Sequence, residues 1–149
     1  MQLDAQCLFS DDQDISQTVD TYLCSHSYDL GVAGVDALGN TIIKDLGRGN
    51  APVLFCQITE AVTATGAATV DFQLVMADDE ALTSNLTVLQ TTGAIGKASL
   101  IAGYQPRLAL PVGISKRYLG IQYVIAGDTT TAGKVTAGLV ALKQTNTKV

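Results

Sequence analysis

An all-β fold, a single antiparallel sandwich or jelly roll of about eight short strands, is what this sequence predicts. Three observations carry the prediction. Apolar residues recur at every second position, turn-forming residues punctuate the chain at short intervals, and no segment sustains helical spacing.

Residues 69–76 are the clearest strand: Val70, Phe72, Leu74 and Met76 share one face, with Asp71 and Gln73 between them. Residues 118–126 repeat the pattern, placing Leu119, Ile121, Tyr123 and Ile125 opposite Gly120 and Gln122. Residues 53–58 begin as a continuous apolar run just after Pro52, which suits a strand buried on both faces or lying against a partner. Residues 134–142 alternate through Val135, Ala137, Leu139 and Ala141 and give the last strand. Residues 18–24, 86–91, 97–102 and 107–110 complete the set. Asp78-Asp79-Glu80 suits one helical turn, but Thr83-Ser84-Asn85 ends it, so a loop is expected there.

Two segments stand outside this pattern. Residues 31–50 carry Gly31, Gly34, Gly39, Gly47 and Gly49, and a long structured loop of this kind is a candidate contact region. Residues 1–10, with Leu3, Leu8 and Phe9 among polar neighbours, read as an N-terminal arm that orders on binding, a first edge strand being the alternative.

The composition narrows the function. Of 149 residues, 47% are hydrophobic and 15% charged, so a core is easily buried and too few charges remain to cover the surface. Oligomerisation or docking is expected. The net charge of −5 and the scattered basic residues, only Lys116-Arg117 being adjacent, oppose nucleic-acid binding. Cys7, Cys24 and Cys56 lack CxxC spacing, and read as small buried residues rather than as disulfides or a zinc site. The N-terminus lacks the basic and apolar regions of a signal peptide, and no apolar run reaches the roughly 20 residues of a membrane span. Synthesis in a reducing cytoplasm, with no membrane partner, is the expectation.

No motif supports catalysis. Gly127 and Gly133-Lys134 imitate a phosphate-binding loop, but the spacing is wrong, Val135 stands where Ser or Thr would hold magnesium, and a strand follows. A hairpin turn is expected there. His26 is the single histidine, without a nucleophile elbow, and reads as a surface residue. Asp11-Asp12-Gln13-Asp14 and Asp78-Asp79-Glu80 match no calcium loop and read as solvated charge. Neither a cofactor nor a metal is expected.

Short blocks in order along the chain carry a family resemblance. They are Tyr28-Asp29-Leu30-Gly31; Asp45-Leu46-Gly47-Arg48-Gly49; residues 53–58 continuing into Thr59-Glu60-Ala61; residues 68–74; Leu110-Pro111 followed by Arg117-Tyr118-Leu119; and residues 131–140. With them the chain resembles the jelly-roll capsid cement (decoration) proteins of tailed bacteriophages, of the type found in a Bordetella phage.

The resemblance implies an eight-stranded antiparallel jelly roll, residues 11–149 behind the arm of residues 1–10. It further implies a homotrimer on the outer surface of the virion, bound to several major capsid subunits at or near threefold positions. Arg48, free between two glycines, is placed to reach a carboxylate on another chain or to pair with Asp45. With Leu3, Leu8, Phe9, Asp45, Lys116 and Arg117 it makes up the candidate capsid or trimer contacts. A head-fibre, tail or receptor-binding β domain is the competing expectation, and an enzyme acting through His26 the third.

Overall fold

The computed structural model describes residues 4–141 and contains eleven strands, every paired couple antiparallel. In chain order they are β1 (Leu8–Asp14), β2 (Thr21–Leu23), β3 (Tyr28–Asp29), β4 (Gly34–Val35), β5 (Thr41–Ile42) and β6 (Val53–Ala64). β7 (Thr69–Ala77), β8 (Thr87–Thr91), β9 (Ile95–Gly96), β10 (Tyr118–Ala126) and β11 (Thr130–Val140) follow.

Two sheets face each other. The first has the order β1-β11-β6, the second β2-β10-β7-β8. β3 continues the β2 edge along β10, and β9 continues the β8 edge along β7, so each pair occupies one strand position. A fourth position in the first sheet is filled irregularly by residues 100–104. There the Val62 N–H donates to Leu100 O at 2.9 Å, Ile58 N–H to Tyr104 O at 2.8 Å, and Gly103 N–H to Ile58 O at 2.8 Å. Eight strand positions in two four-membered sheets, with every consecutive pair of positions but β7 and β8 crossing between the sheets, make a jelly roll. β4 and β5 pair only with each other and lie outside both sheets.

The core lies between the sheets. β7 contributes Val70, Phe72, Leu74 and Met76, and β10 contributes Leu119, Ile121, Tyr123 and Ile125, the faces expected from their alternation. From the other sheet come Phe9, Leu54, Cys56, Ile58, Val135 and Ala137. Phe72 and Tyr123 meet edge to face with ring centroids 5.7 Å apart, an arrangement that adds about 0.5–1.5 kcal/mol beyond area burial. The buried Tyr123 hydroxyl shares a 2.7 Å hydrogen bond with Ser10 Oγ, which donates to Gln13 Oε1 at 2.6 Å, so the phenol enters the core satisfied. Burial pushes the thiol of the core residue Cys56 up to about 12 and that of Cys24, half-buried against the core, to about 11, in keeping with inert cysteines.

Several expectations are corrected. Residues 1–10 follow the edge-strand alternative from Leu8 onward, since Leu8–Asp14 pair with β11 and Phe9 is fully buried, so an arm does not extend to residue 10. The acidic run hides this strand, since its exposed edge tolerates carboxylates, and irregular register between Leu8 and Gln13 breaks the alternation. Residues 97–102 and 107–110 are not regular strands. Lys97–Ser99 make a single 3-10 turn, and beyond it Leu100 and Leu108 are buried from irregular backbone. Gly133 and Lys134 lie inside β11, so the hairpin turn is confined to residues 127–129. Of the strand expected over residues 134–142, position 142 lies outside the described residues.

Candidate docking surface

Glycines and turn residues hold residues 32–44 away from the sandwich, and the short hairpin β4–β5 forms within them. Its tip is built by Asp36, whose carboxylate accepts the N–H groups of Leu38 at 2.9 Å and Asn40 at 2.8 Å, and Asn40 Nδ2 at 2.9 Å. These bonds hold the Asp36 carboxyl below its ordinary range, the Asn40 side chain first among them. Every residue from 32 to 44 is exposed. That includes Leu38 at 87%, Val32 at 72% and Val35 at 70%, with Ile42 and Ile43 beside them and Val112 at the base. The register, Gly34 with Ile42 and Val35 with Thr41, turns Val35 and Ile42 to opposite faces, so both faces of the hairpin carry exposed aliphatics.

The base of the hairpin is rigid. Asp45 sits with only 8% of its side chain exposed and accepts Gly47 N–H at 3.0 Å, Gly113 N–H at 2.7 Å and Ile114 N–H at 3.2 Å. These bonds, that from Gly113 foremost, hold its carboxyl below the usual range. Asp45 therefore latches residues 45–48 to residues 111–114. Gly47 is required at this junction, because a Cβ there would lie 2.0 Å from Pro111 O. Arg48 Nε meets Asp45 Oδ2 at 3.2 Å while 81% of its side chain stays exposed, so the guanidinium extends outward. Beside it, Arg117 grips Asp29 with Nε to Oδ1 at 2.8 Å and Nη2 to Oδ2 at 2.7 Å, and its guanidinium lies 5.0 Å from the Tyr118 ring centre. Lys116 Nζ donates to Thr87 Oγ1 at 2.9 Å and to Asn85 O. Lys44, Lys116 and Arg117 line one hollow under the hairpin, and Asp45 and Arg48 line the adjoining one.

The sequence-derived candidates thus divide. Asp45, Arg48, Lys116 and Arg117, far apart in sequence, converge at this base. Phe9 is core and cannot be a contact, Leu8 is half-buried in β1, and Leu3 lies outside the described residues. Asp45 holds the two loops of the base together. The aliphatics of residues 32–43 escaped the sequence reading, because nothing in their spacing separates an outward-facing apolar residue from a buried one. His26 is exposed, its backbone N–H donating to Phe9 O at 2.9 Å.

The grip on Asp29 has a pH signature. Hydrogen bonds from Arg117 first, then from the Gly31 N–H, lower its carboxyl from 3.8 to about 2. A depressed carboxyl stabilises the fold fully above its unfolded value, and that contribution is lost as pH falls through the folded value. Arg117→Ala is therefore expected to flatten the decline in melting temperature between those two pH values. Circular dichroism melts at stepped pH check this, and an unchanged slope would show that the pair contributes nothing.

Among the described residues no helix is long and apolar enough to cross a membrane, and no three His, Cys, Asp or Glu residues are grouped to hold a metal ion. Comparison with curated proteins finds no match. The pattern of one protein family, described as Bbp16, a name that points to a Bordetella phage protein, matches residues 9–139. That match runs from the first buried residue of β1 almost to the end of β11 and takes in the hairpin with its latched base. The chain belongs to the Bbp16 family.

Proposed function

We propose that this chain is a noncatalytic virion protein that decorates the outer surface of a tailed-phage capsid as a homotrimer and stabilises it by bridging major capsid subunits. Family membership supports a structural role in a phage particle. The observation that carries the interaction role is the exposed aliphatic cluster of residues 32–44 on a rigidly latched base. A chain with 15% charged residues that leaves such a cluster uncovered is built to dock on protein. Each contact is shallow, but a trimer that touches several subunits makes its later contacts at high effective concentration. The acidic net charge of −5 suits the face away from packaged DNA, and neither nucleic acid nor membrane is a partner in this reading.

Co-sedimentation of the purified chain with expanded and unexpanded capsids tests the proposal. Saturable binding to expanded capsids, with increased resistance of those capsids to heat, is the expected result. A protein that ignores both kinds of capsid but binds cells or glycans would be a receptor-binding domain instead.

A further inference from the structure

The connection between β7 and β8, residues 78–86, is a body of its own laid on the outer face of the second sheet. Its bonds are mostly internal. The Asp79 carboxylate accepts Thr83 N–H at 2.9 Å, Ser84 N–H at 2.7 Å and the Thr83 hydroxyl at 2.6 Å. Its neck closes on itself, with Asp78 N–H donating to Ser84 O at 3.1 Å and Asn85 Nδ2 to Asp78 Oδ2 at 2.8 Å. A compact loop with joined ends and its own hydrogen bonds can leave a surface without unravelling.

Only Leu82 among these residues is buried, and it acts as a plug. The floor beneath it is Gly120 of β10. An added Cβ there would stand 2.4 Å from Leu82 Cδ1 and 2.9 Å from Cys24 Sγ, so methyl and thiol lie side by side over bare backbone. Val75 and Ala77 complete the socket, in a cluster separate from the one between the sheets, so the sandwich keeps its core with the plug out. Leu82 has a φ of 57°, a strained value for a bulky residue, and such strain persists only where the surroundings enforce it. Two polar tethers join the loop to the sandwich: Ser27 Oγ donates to Glu80 O at 2.8 Å, and Lys116 Nζ donates to Asn85 O. Lys116 also lines the hollow under the β4–β5 hairpin, so one ammonium belongs to both places.

We propose that residues 78–86 form a lid that lifts its Leu82 plug from the Gly120 socket while the sandwich stays folded, and that Lys116 is the catch coupling this lid to the hairpin base. A contact at the base that draws Lys116 away frees the lid and bares Val75, Ala77 and Cys24. The free molecule thereby keeps a second apolar surface covered. No capsid enters the device or its test, so both stand apart from the decoration reading.

Cys24 reports the lid, and Cys56, in the core between the sheets, reports unfolding of the whole. The full chain is exposed to iodoacetamide under native conditions, and the alkylation rate of each cysteine is read by peptide mass spectrometry, with Lys116→Met, Lys44→Met and Leu82→Ala variants alongside. Lys44 lines the same hollow but does not tether the loop, and serves as the control. Loss of a nearby cation disfavours a thiolate, so faster labelling in Lys116→Met would not come from charge.

In the unchanged chain Cys24 is expected to react at least about tenfold faster than Cys56. Lys116→Met and Leu82→Ala should each raise the ratio of the two rates several-fold, and Lys44→Met should leave it unchanged. Equal rates at the two cysteines would mean that the loop opens only with the whole fold, which overturns the lid. A fast Cys24 indifferent to Lys116→Met would report fraying beside β2, and a ratio unmoved by Leu82→Ala would show that Leu82 covers nothing. Either result overturns the proposal, as does an equal acceleration by Lys44→Met.

Discussion

Phe9→Ala is expected to destabilise the protein by about 3–5 kcal/mol, the range for truncating a fully buried aromatic side chain. Phe9 is wholly inside the sandwich, and its strand is held to β11 by the pairs Leu8 with Gly138 and Ser10 with Ala137. The measurement is the urea midpoint, at constant slope. Were residues 1–10 a loose arm, the same change would cost almost nothing. The distinction governs how truncations are read. Removing residues 1–10 takes away Phe9 and the Ser10 hydroxyl that satisfies the buried Tyr123, so capsid occupancy lost after that deletion would report unfolding and not a missing arm. Ser10→Ala separates these effects, since it leaves Phe9 in place and removes only the partner of the phenol.

Gly47→Ala is expected to cost about 1–3 kcal/mol and to loosen the hairpin base more than the sandwich. The new Cβ would stand 2.0 Å from Pro111 O and 2.7 Å from Val112 Cα, both backbone atoms that no rotamer change can move aside. Residues 45–48 and 111–114 must separate, and Asp45 then loses the Gly113 and Ile114 N–H groups. Amide resonances of Gly113 and Ile114 should shift, and their hydrogen exchange should accelerate ahead of that of β7 and β10. Gly34→Ala is the control: its Cβ would approach nothing closer than 3.9 Å, so stability should hardly change. Equal losses in both would mean that the latch does not organise the base.

The legible parts of this fold are those where one physical rule acts alone. β7 and β10 sit at the centre of their sheet, their inner faces must be apolar, and alternation follows directly in Val70-Phe72-Leu74 and Leu119-Ile121-Tyr123. β1 obeys the same rule but lies on an edge, where irregular register and solvent admit Asp11, Asp12 and Asp14, and the pattern dissolves. Leu100, Leu108 and Ile114 are buried without any regular element, so periodicity has nothing to report about them. At the site, glycine content marks residues 31–50 as a structured loop, and the structure brings the candidates Arg48, Lys116 and Arg117 to its base. The pairing of Arg117 with Asp29 depends on β3 lying beside β10, and the role of Asp45 on two loops meeting. Both are long-range facts that local sequence does not encode.

The irregular fourth position of the first sheet bears on how such a chain survives at high concentration. Residues 100–104 give β6 only scattered hydrogen bonds, Gly103 takes a positive φ of 89°, and Pro106 follows without an N–H to offer. A straight strand at that margin would present an unbroken ladder of donors and acceptors to any sibling molecule, inviting open-ended polymerisation. The bent, proline-bearing margin removes that template.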